Sequence, residues 1–220
     1  PGDEVLVPNP GYPTYTSLSK ILGAKVVNYN LDEDNGWQPD FEELEHRDLS
    51  RVKLMWTNYP NMPTGGDARM ETYRKLVDFA RRHDIVVVND NPYSFILNEH
   101  PLSLLQVEGA KDCCIELNSM SKGYNMPGWR VGMCVSNPLF ISWILKIKSN
   151  IDSGTFRGLQ LAAAEALTTN TEEWHREYNI NVYRRRREIA ERIMQALGCT
   201  YDDSQVGMFL WGKIADKYAN

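Results

Sequence analysis

The chain has 220 residues, of which 42% are hydrophobic, 24% charged and 10% aromatic, a balance that can bury a core and excludes a disordered or fibrous class. Its 24 basic and 29 acidic residues leave a formal charge of -5, which argues against a broad cationic surface for nucleic acid. The longest apolar stretches, such as residues 85–88, fall far short of the roughly 20 residues that a membrane span needs, so no membrane partner is expected.

Short β-rich runs alternate with helical patterns, the signature of βαβ units around a mainly parallel sheet. Residues 5–7 read as a strand, 16–22 as a helix ending at Gly23, and 25–29 as the next strand. A short helix at 41–46 and a strand at 52–57 follow. The spacing of Tyr73, Leu76, Val77 and Ala80 predicts a helix over about 69–82, followed by the β-branched run Ile85-Val86-Val87-Val88, which should be buried on both faces. Residues 113–117 and 131–135 read as two more strands. Beyond them the pattern is helical over 138–148, 159–167 and a long polar-faced stretch from 172 to 197 that stops at Gly198. The run Arg184 to Arg187 on that last helix is expected to be a solvated face. Past Gly198 a change of composition and Met208-Phe209-Leu210-Trp211 suggest the start of a second domain.

Cys113, Cys114, Cys134 and Cys199 lack the Cys-x-x-Cys spacing of a redox or zinc motif and are expected to be reduced core thiols. His46, His83, His100 and His175 are scattered, so no metal site is expected. Pro1-Gly2-Asp3-Glu4 has neither a basic start nor an apolar signal core. It reads as the middle of a chain, and the cytoplasm is the expected compartment.

In parallel α/β proteins ligands sit beyond the carboxyl ends of strands. Four segments lie there: Pro8-Asn9-Pro10-Gly11-Tyr12-Pro13, then Asn58-Tyr59-Pro60-Asn61-Met62-Pro63-Thr64-Gly65, then Asn89-Asp90-Asn91-Pro92-Tyr93, and Ser119-Met120-Ser121-Lys122-Gly123 leading to Gly128-Trp129-Arg130. Singly, each has an ordinary reading as a turn, a helix cap or an exposed lysine. Together they would supply an imine-forming amine, a carboxylate and an anion clamp around one pocket. No nucleotide fingerprint accompanies them. A phosphorylated carbonyl cofactor with a basic ring nitrogen needs that set, and pyridoxal phosphate fits.

On these residues the sequence resembles the class I and II aminotransferases, the fold-type I enzymes dependent on pyridoxal 5′-phosphate. Residues 119–132, Ser-Met-Ser-Lys-Gly-Tyr-Asn-Met-Pro-Gly-Trp-Arg-Val-Gly, are similar to that family's cofactor-lysine signature, and the other segments follow in the family's order. The resemblance implies a three-layer α/β/α large domain with a mainly parallel sheet over residues 1–175. Residues 176–220 would then hold the interdomain helix and the start of a small α+β domain, the whole being the central fragment of a longer enzyme. By the same resemblance Lys122 is catalytic and forms the internal aldimine. Asp90 pairs with the pyridine nitrogen, Tyr93 hydrogen-bonds the ring's phenolic oxygen, Tyr12 stacks on the ring, and Ser119, Ser121 and Arg130 hold the phosphate. The implied reaction moves an amino group between an α-amino acid and a 2-oxo acid, and the implied assembly is a homodimer. A lyase or synthase using the same cofactor, or an aminotransferase-like sensor domain of a transcription regulator, stays open because fold does not fix function.

One position departs from the family. Where an Asn normally stands before Pro-Thr-Gly and also contacts the phenolic oxygen, this chain has Met62, with Asn61 one residue earlier. Neighbouring side chains in an extended segment point to opposite sides, so Asn61 is not expected to substitute. Trp174 and Tyr178 are expected in the core or at a subunit interface.

Overall fold

The computed structural model describes residues 2–169 and 171–218. Six strands, β1 (Glu4–Asn9), β2 (Lys25–Asn30), β3 (Val52–Asn58), β4 (Val86–Asp90), β5 (Cys114–Ser119) and β6 (Gly132–Val135), form one sheet in the order β2-β1-β3-β4-β5-β6. The first five are parallel. β6 runs antiparallel to β5 at the edge. Gly132 is required there, since a Cβ at that position would stand 2.9 Å from the Asn118 carbonyl oxygen.

The helices are α1 (Pro13–Ile21), α2 (Phe41–Glu45), α3 (Met70–His83), α4 (Met120–Gly123), α5 (Pro138–Ile151), α6 (Arg157–Thr168), α7 (Thr171–Trp174) and α8 (Tyr183–Leu197). The sheet is covered on both faces, which is why β4 at its centre carries the β-branched run Val86-Val87-Val88. One face carries Leu6, Met55, Val87 and Cys114 against Tyr73, Leu76, Phe79 and Ala80 of α3. Each large α3 side chain buried in this way stabilises the fold by roughly 1.5–3 kcal/mol. The other face packs Val5 and Val7 with Tyr15 of α1, and Val88 and Ile115 with Phe140 of α5. α3 ends with Arg81, Arg82 and His83 in its last turn and Asp84 in the left-handed conformation, so basic charge complements the exposed carbonyls. α5 starts on an Asn137 cap, whose Oδ1 accepts from Phe140 N at 2.9 Å, followed by Pro138 in the first turn. No helix among the described residues is long and apolar enough to cross a membrane.

The expected single helix over 172–197 is instead broken in character. Between α7 and α8 the chain makes π-helical turns over His175–Val182. The wider turn leaves the Asn179 carbonyl to accept from Leu97 N at 3.1 Å, a bond that ties this segment to the loop after β4. Such widened turns appear where an outside partner enters the helix ladder.

The solvated reading of Arg184 to Arg187 also needs correction. Arg187 is mostly buried and donates to the carbonyls of Gln205 at 2.8 Å and Phe209 at 3.5 Å, with Glu191 at 3.9 Å. Val206 N and Gly207 N donate to Gly65 O and Ile96 O, and the guanidinium fork serves the two carbonyls of Gln205 and Phe209. Arg184, Arg185 and Arg186 remain exposed, as expected. Cys113 and Cys114 are buried and free, while Cys134 and Cys199 are only half-buried.

Candidate functional site

β2 and β3 flank β1 on opposite sides, so chain order reverses between β1 and β3 and a crevice opens beyond their carboxyl ends. The loop after β1 delivers Tyr12 and α1 into it. β4 ends on Asp90, Tyr93 follows three residues later, and β5 ends on Ser119 and runs into α4 with Lys122.

Asp90 is held from two sides. Its backbone carbonyl accepts from Asn58 Nδ2 at 2.7 Å, and its Oδ2 accepts from the Tyr15 hydroxyl at 2.7 Å. Burial raises the Asp90 carboxyl above its ordinary value, and the Tyr15 hydrogen bond pulls it part of the way back. No ion pair reaches Asp90 among the described residues. A desolvated carboxylate with only neutral donors is suited to a cationic ring nitrogen.

Tyr93 is buried, and its ring meets Phe209 edge-on at 5.3 Å. Its phenol is pushed up to about 12, first by burial and then by the Asp90 charge, so it stays protonated as a donor. That donor faces the Met62 sulfur at 3.8 Å, a weak acceptor, and is free to serve a better one. Met62 N itself donates to Asn58 Oδ1 at 2.8 Å. Asn61 is 2% exposed, and its Oδ1 accepts from the Thr64 hydroxyl at 2.8 Å.

The lysine loop is built to a tight plan. Ser119 caps α4 by accepting from Ser121 N at 3.1 Å, and Met120 N donates to Val131 O at 3.1 Å. Lys122 is half-buried and in no ion pair among the described residues. Trp174 closes the far end of α4 by donating its indole N–H to the Gly123 carbonyl at 2.8 Å, and its ring stacks on Tyr178 at 4.5 Å. The expectation for these aromatics was core or interface; here Trp174 clamps the lysine helix.

Not every candidate converges. Arg130 is exposed, in the left-handed conformation, and turned to the Pro127 carbonyl at 2.9 Å. Tyr12 is 42% exposed at the crevice edge. A cavity of about 420 Å³ beside α4 is lined by Tyr124, Trp174, Glu173 and Glu177 among others and by none of the proposed cofactor residues. Sequence reasoning missed Tyr15, Asn58 and Trp174. For Tyr15 the signal was its position three residues after Tyr12, on one face of the first helical turn; the rings meet edge-on at 5.6 Å.

The residues present fit pyridoxal 5′-phosphate: among the described residues Asp90 has no counter-cation, the Tyr93 phenol meets only a thioether, and Lys122 of α4 is in no ion pair and lies beside Ser119 and Ser121.

Comparison with known proteins agrees with this chemistry. The model of the aminotransferase class I and II family matches residues 1–219. The chain is 38% identical to the LL-diaminopimelate aminotransferase of Dehalococcoides mccartyi, over all of this chain and 57% of that protein. It superposes on apo-BacF from Bacillus subtilis with a TM-score of 0.92 at 36% identity, covering 99% of this chain and 56% of that one. An aminotransferase from Staphylococcus aureus gives a TM-score of 0.90 at 32% identity, over 99% and 57%. The chain therefore spans a little over half the length of these relatives.

Proposed function

Because the chain belongs to the class I and II aminotransferase family, we propose that it carries the cofactor core of an enzyme that moves an amino group between an α-amino acid and a 2-oxo acid, using pyridoxal 5′-phosphate. The observation that carries the reading is Asp90: a desolvated carboxylate with neutral partners only, at the strand end beside the lysine helix. When bound, the cofactor supplies an electron-withdrawing ring that stabilises negative charge at the substrate's α-carbon.

Each residue then has a physical task. Asp90 keeps the proton on the ring nitrogen by favouring its charged form. Lys122 would hold the cofactor through its amine and move the substrate's α-proton as general base and acid. Tyr93, whose hydroxyl now faces the Met62 sulfur, would donate to the ring oxygen. Tyr12 packs its flat face on the ring. Ser119 and Ser121 would donate to the phosphate, and Arg130, turned from the Pro127 carbonyl, would hold it through its guanidinium. Arg130 is exposed, so that movement displaces only solvent and one hydrogen bond.

In this reading residues 1–175 form the large domain and 176–220 the interdomain helix with the start of a smaller domain; all six strands lying before residue 175 supports the division. A homodimer in the cytoplasm, acting on small molecules, completes the proposal. Several relatives are named LL-diaminopimelate aminotransferases, so an amino acid with a second ammonium and carboxylate is the first donor to try. The test is amino transfer by the whole protein from a panel of amino donors, LL-diaminopimelate included, to a 2-oxo acid. Lys122→Ala should lower the rate by roughly 10²- to 10⁴-fold. Transfer undiminished in Lys122→Ala, or absent with every donor, refutes the proposal.

A further inference from the structure

We infer that Tyr15 is a positioning residue of this site, whose hydroxyl holds the Asp90 carboxylate ionised and aimed at the cofactor's ring nitrogen. The inference rests on the cofactor reading above and adds a residue to it.

The geometry is specific. Tyr15 is 3% exposed, and its ring is stacked on Trp56 of β3 at 4.7 Å with 12° between planes. Tyr12 meets its edge, and Val5 and Val7 pack on it. A ring so confined cannot swing, so its hydroxyl stays at one point in the crevice, 2.7 Å from Asp90 Oδ2. The Asp90 backbone is fixed independently by Asn58 Nδ2. One carboxylate oxygen is thereby occupied and the orientation of the other is set.

The electrostatics follow from the same contact. The titratable groups that face Asp90 are the phenols of Tyr15 from α1 and Tyr93 from the loop after β4. Burial acts against the charged carboxylate, and Tyr15 is the group that acts for it. Burial and the Asp90 charge in turn hold the Tyr15 phenol well above its ordinary value, so it remains a donor wherever Asp90 titrates. A hydrogen bond made to the charged form favours that form. Without it a larger fraction of Asp90 is neutral at a given pH, and a neutral carboxyl cannot hold a protonated ring nitrogen.

Tyr15→Phe removes this hydroxyl and keeps the ring stack. The experiment measures binding of pyridoxal 5′-phosphate to the whole protein against pH by visible absorbance, for wild type, Tyr15→Phe, Asp90→Asn and the double variant. The same series is run with the analogue that has carbon in place of the ring nitrogen. We expect Tyr15→Phe to bind pyridoxal 5′-phosphate about tenfold more weakly, the scale of one hydrogen bond to a charged group. Its acid limb should move to higher pH, and the defect should vanish with the carbon analogue and in the Asp90→Asn background. Equal weakening with both cofactors would mean that the hydroxyl only supports packing, and overturns the inference. So would binding unchanged from wild type. If wild type itself binds no cofactor, the cofactor reading fails and takes the inference with it, whereas a normal wild type beside an unaffected Tyr15→Phe defeats the inference alone.

Discussion

Truncating Glu116 to alanine should loosen the loop that carries Tyr93, although Glu116 lies below the site and touches no candidate residue. Its buried carboxylate accepts from Leu104 N at 2.7 Å, Asn91 Nδ2 at 3.2 Å and Asn89 Nδ2 at 3.5 Å, so it binds both ends of the segment between β4 and Leu104. Asn91 Nδ2 also reaches Leu102 O at 3.3 Å, and Asn89 Nδ2 reaches the Tyr73 hydroxyl at 3.3 Å. Both amides therefore keep a partner in Glu116→Ala. Leu104 N–H keeps none, in a residue with no exposed surface. An orphaned buried donor costs about 1–3 kcal/mol, and the lost charge-assisted bonds bring the total to about 3 kcal/mol. Glu116→Gln retains one acceptor for Leu104 but turns an amide N–H₂ toward the asparagines, and should lose about half as much. The assay is amide hydrogen exchange of residues 91–105, which reports local opening directly. At about 1.4 kcal/mol per tenfold, Leu104 should exchange about 100-fold faster in Glu116→Ala and about tenfold faster in Glu116→Gln. Unchanged protection of Leu104 in the alanine variant, or a larger effect from glutamine, refutes the reasoning.

Asp90→Asn should act with opposite signs on the two states of the protein. The folded-state carboxyl is raised by burial, so its contribution is fully present below its ordinary pKa near 3.8 and is lost as pH rises through the folded value. At pH 7 the cofactor-free variant should melt higher than wild type, with the gap closing toward pH 4, while its cofactor affinity falls; a lower melting point at pH 7 would contradict this. Met62→Asn puts an amide donor beside the Tyr93 hydroxyl, the proposed place of the ring oxygen, and Met62→Leu does not. The pH midpoint of the bound cofactor's visible absorbance should fall by about one unit in the first variant and stay in place in the second; identical midpoints in all three proteins would defeat the idea.

Much of this architecture was legible in residue patterns because the physics is local. The run Ile85-Val86-Val87-Val88 announces a strand buried on both faces, and Tyr73, Leu76, Val77 and Ala80 mark one side of α3, as found. The strand-end motifs were legible because turns made of Pro, Gly and Asn stand out between apolar runs. The direction of β6 was not, since Val131 to Val135 carries no sign of antiparallel pairing; that depends on the short α4 and its following turn reversing the chain. Tyr15 was overlooked despite its spacing from Tyr12, because an aromatic on the inner face of a helix reads as core, which it also is. Only the register of α1 against β4 places its hydroxyl on Asp90. Arg187 was misjudged for a related reason: a basic run has the same pattern whether its last member meets water or the unpaired carbonyls of a distant loop.

The proposed function requires Lys122 to take the cofactor. Whole protein mixed with pyridoxal 5′-phosphate, reduced with borohydride and digested should carry the added mass on the peptide containing Lys122, with none on Lys122→Ala. A label on another lysine, or no label on wild type, would contradict the central claim.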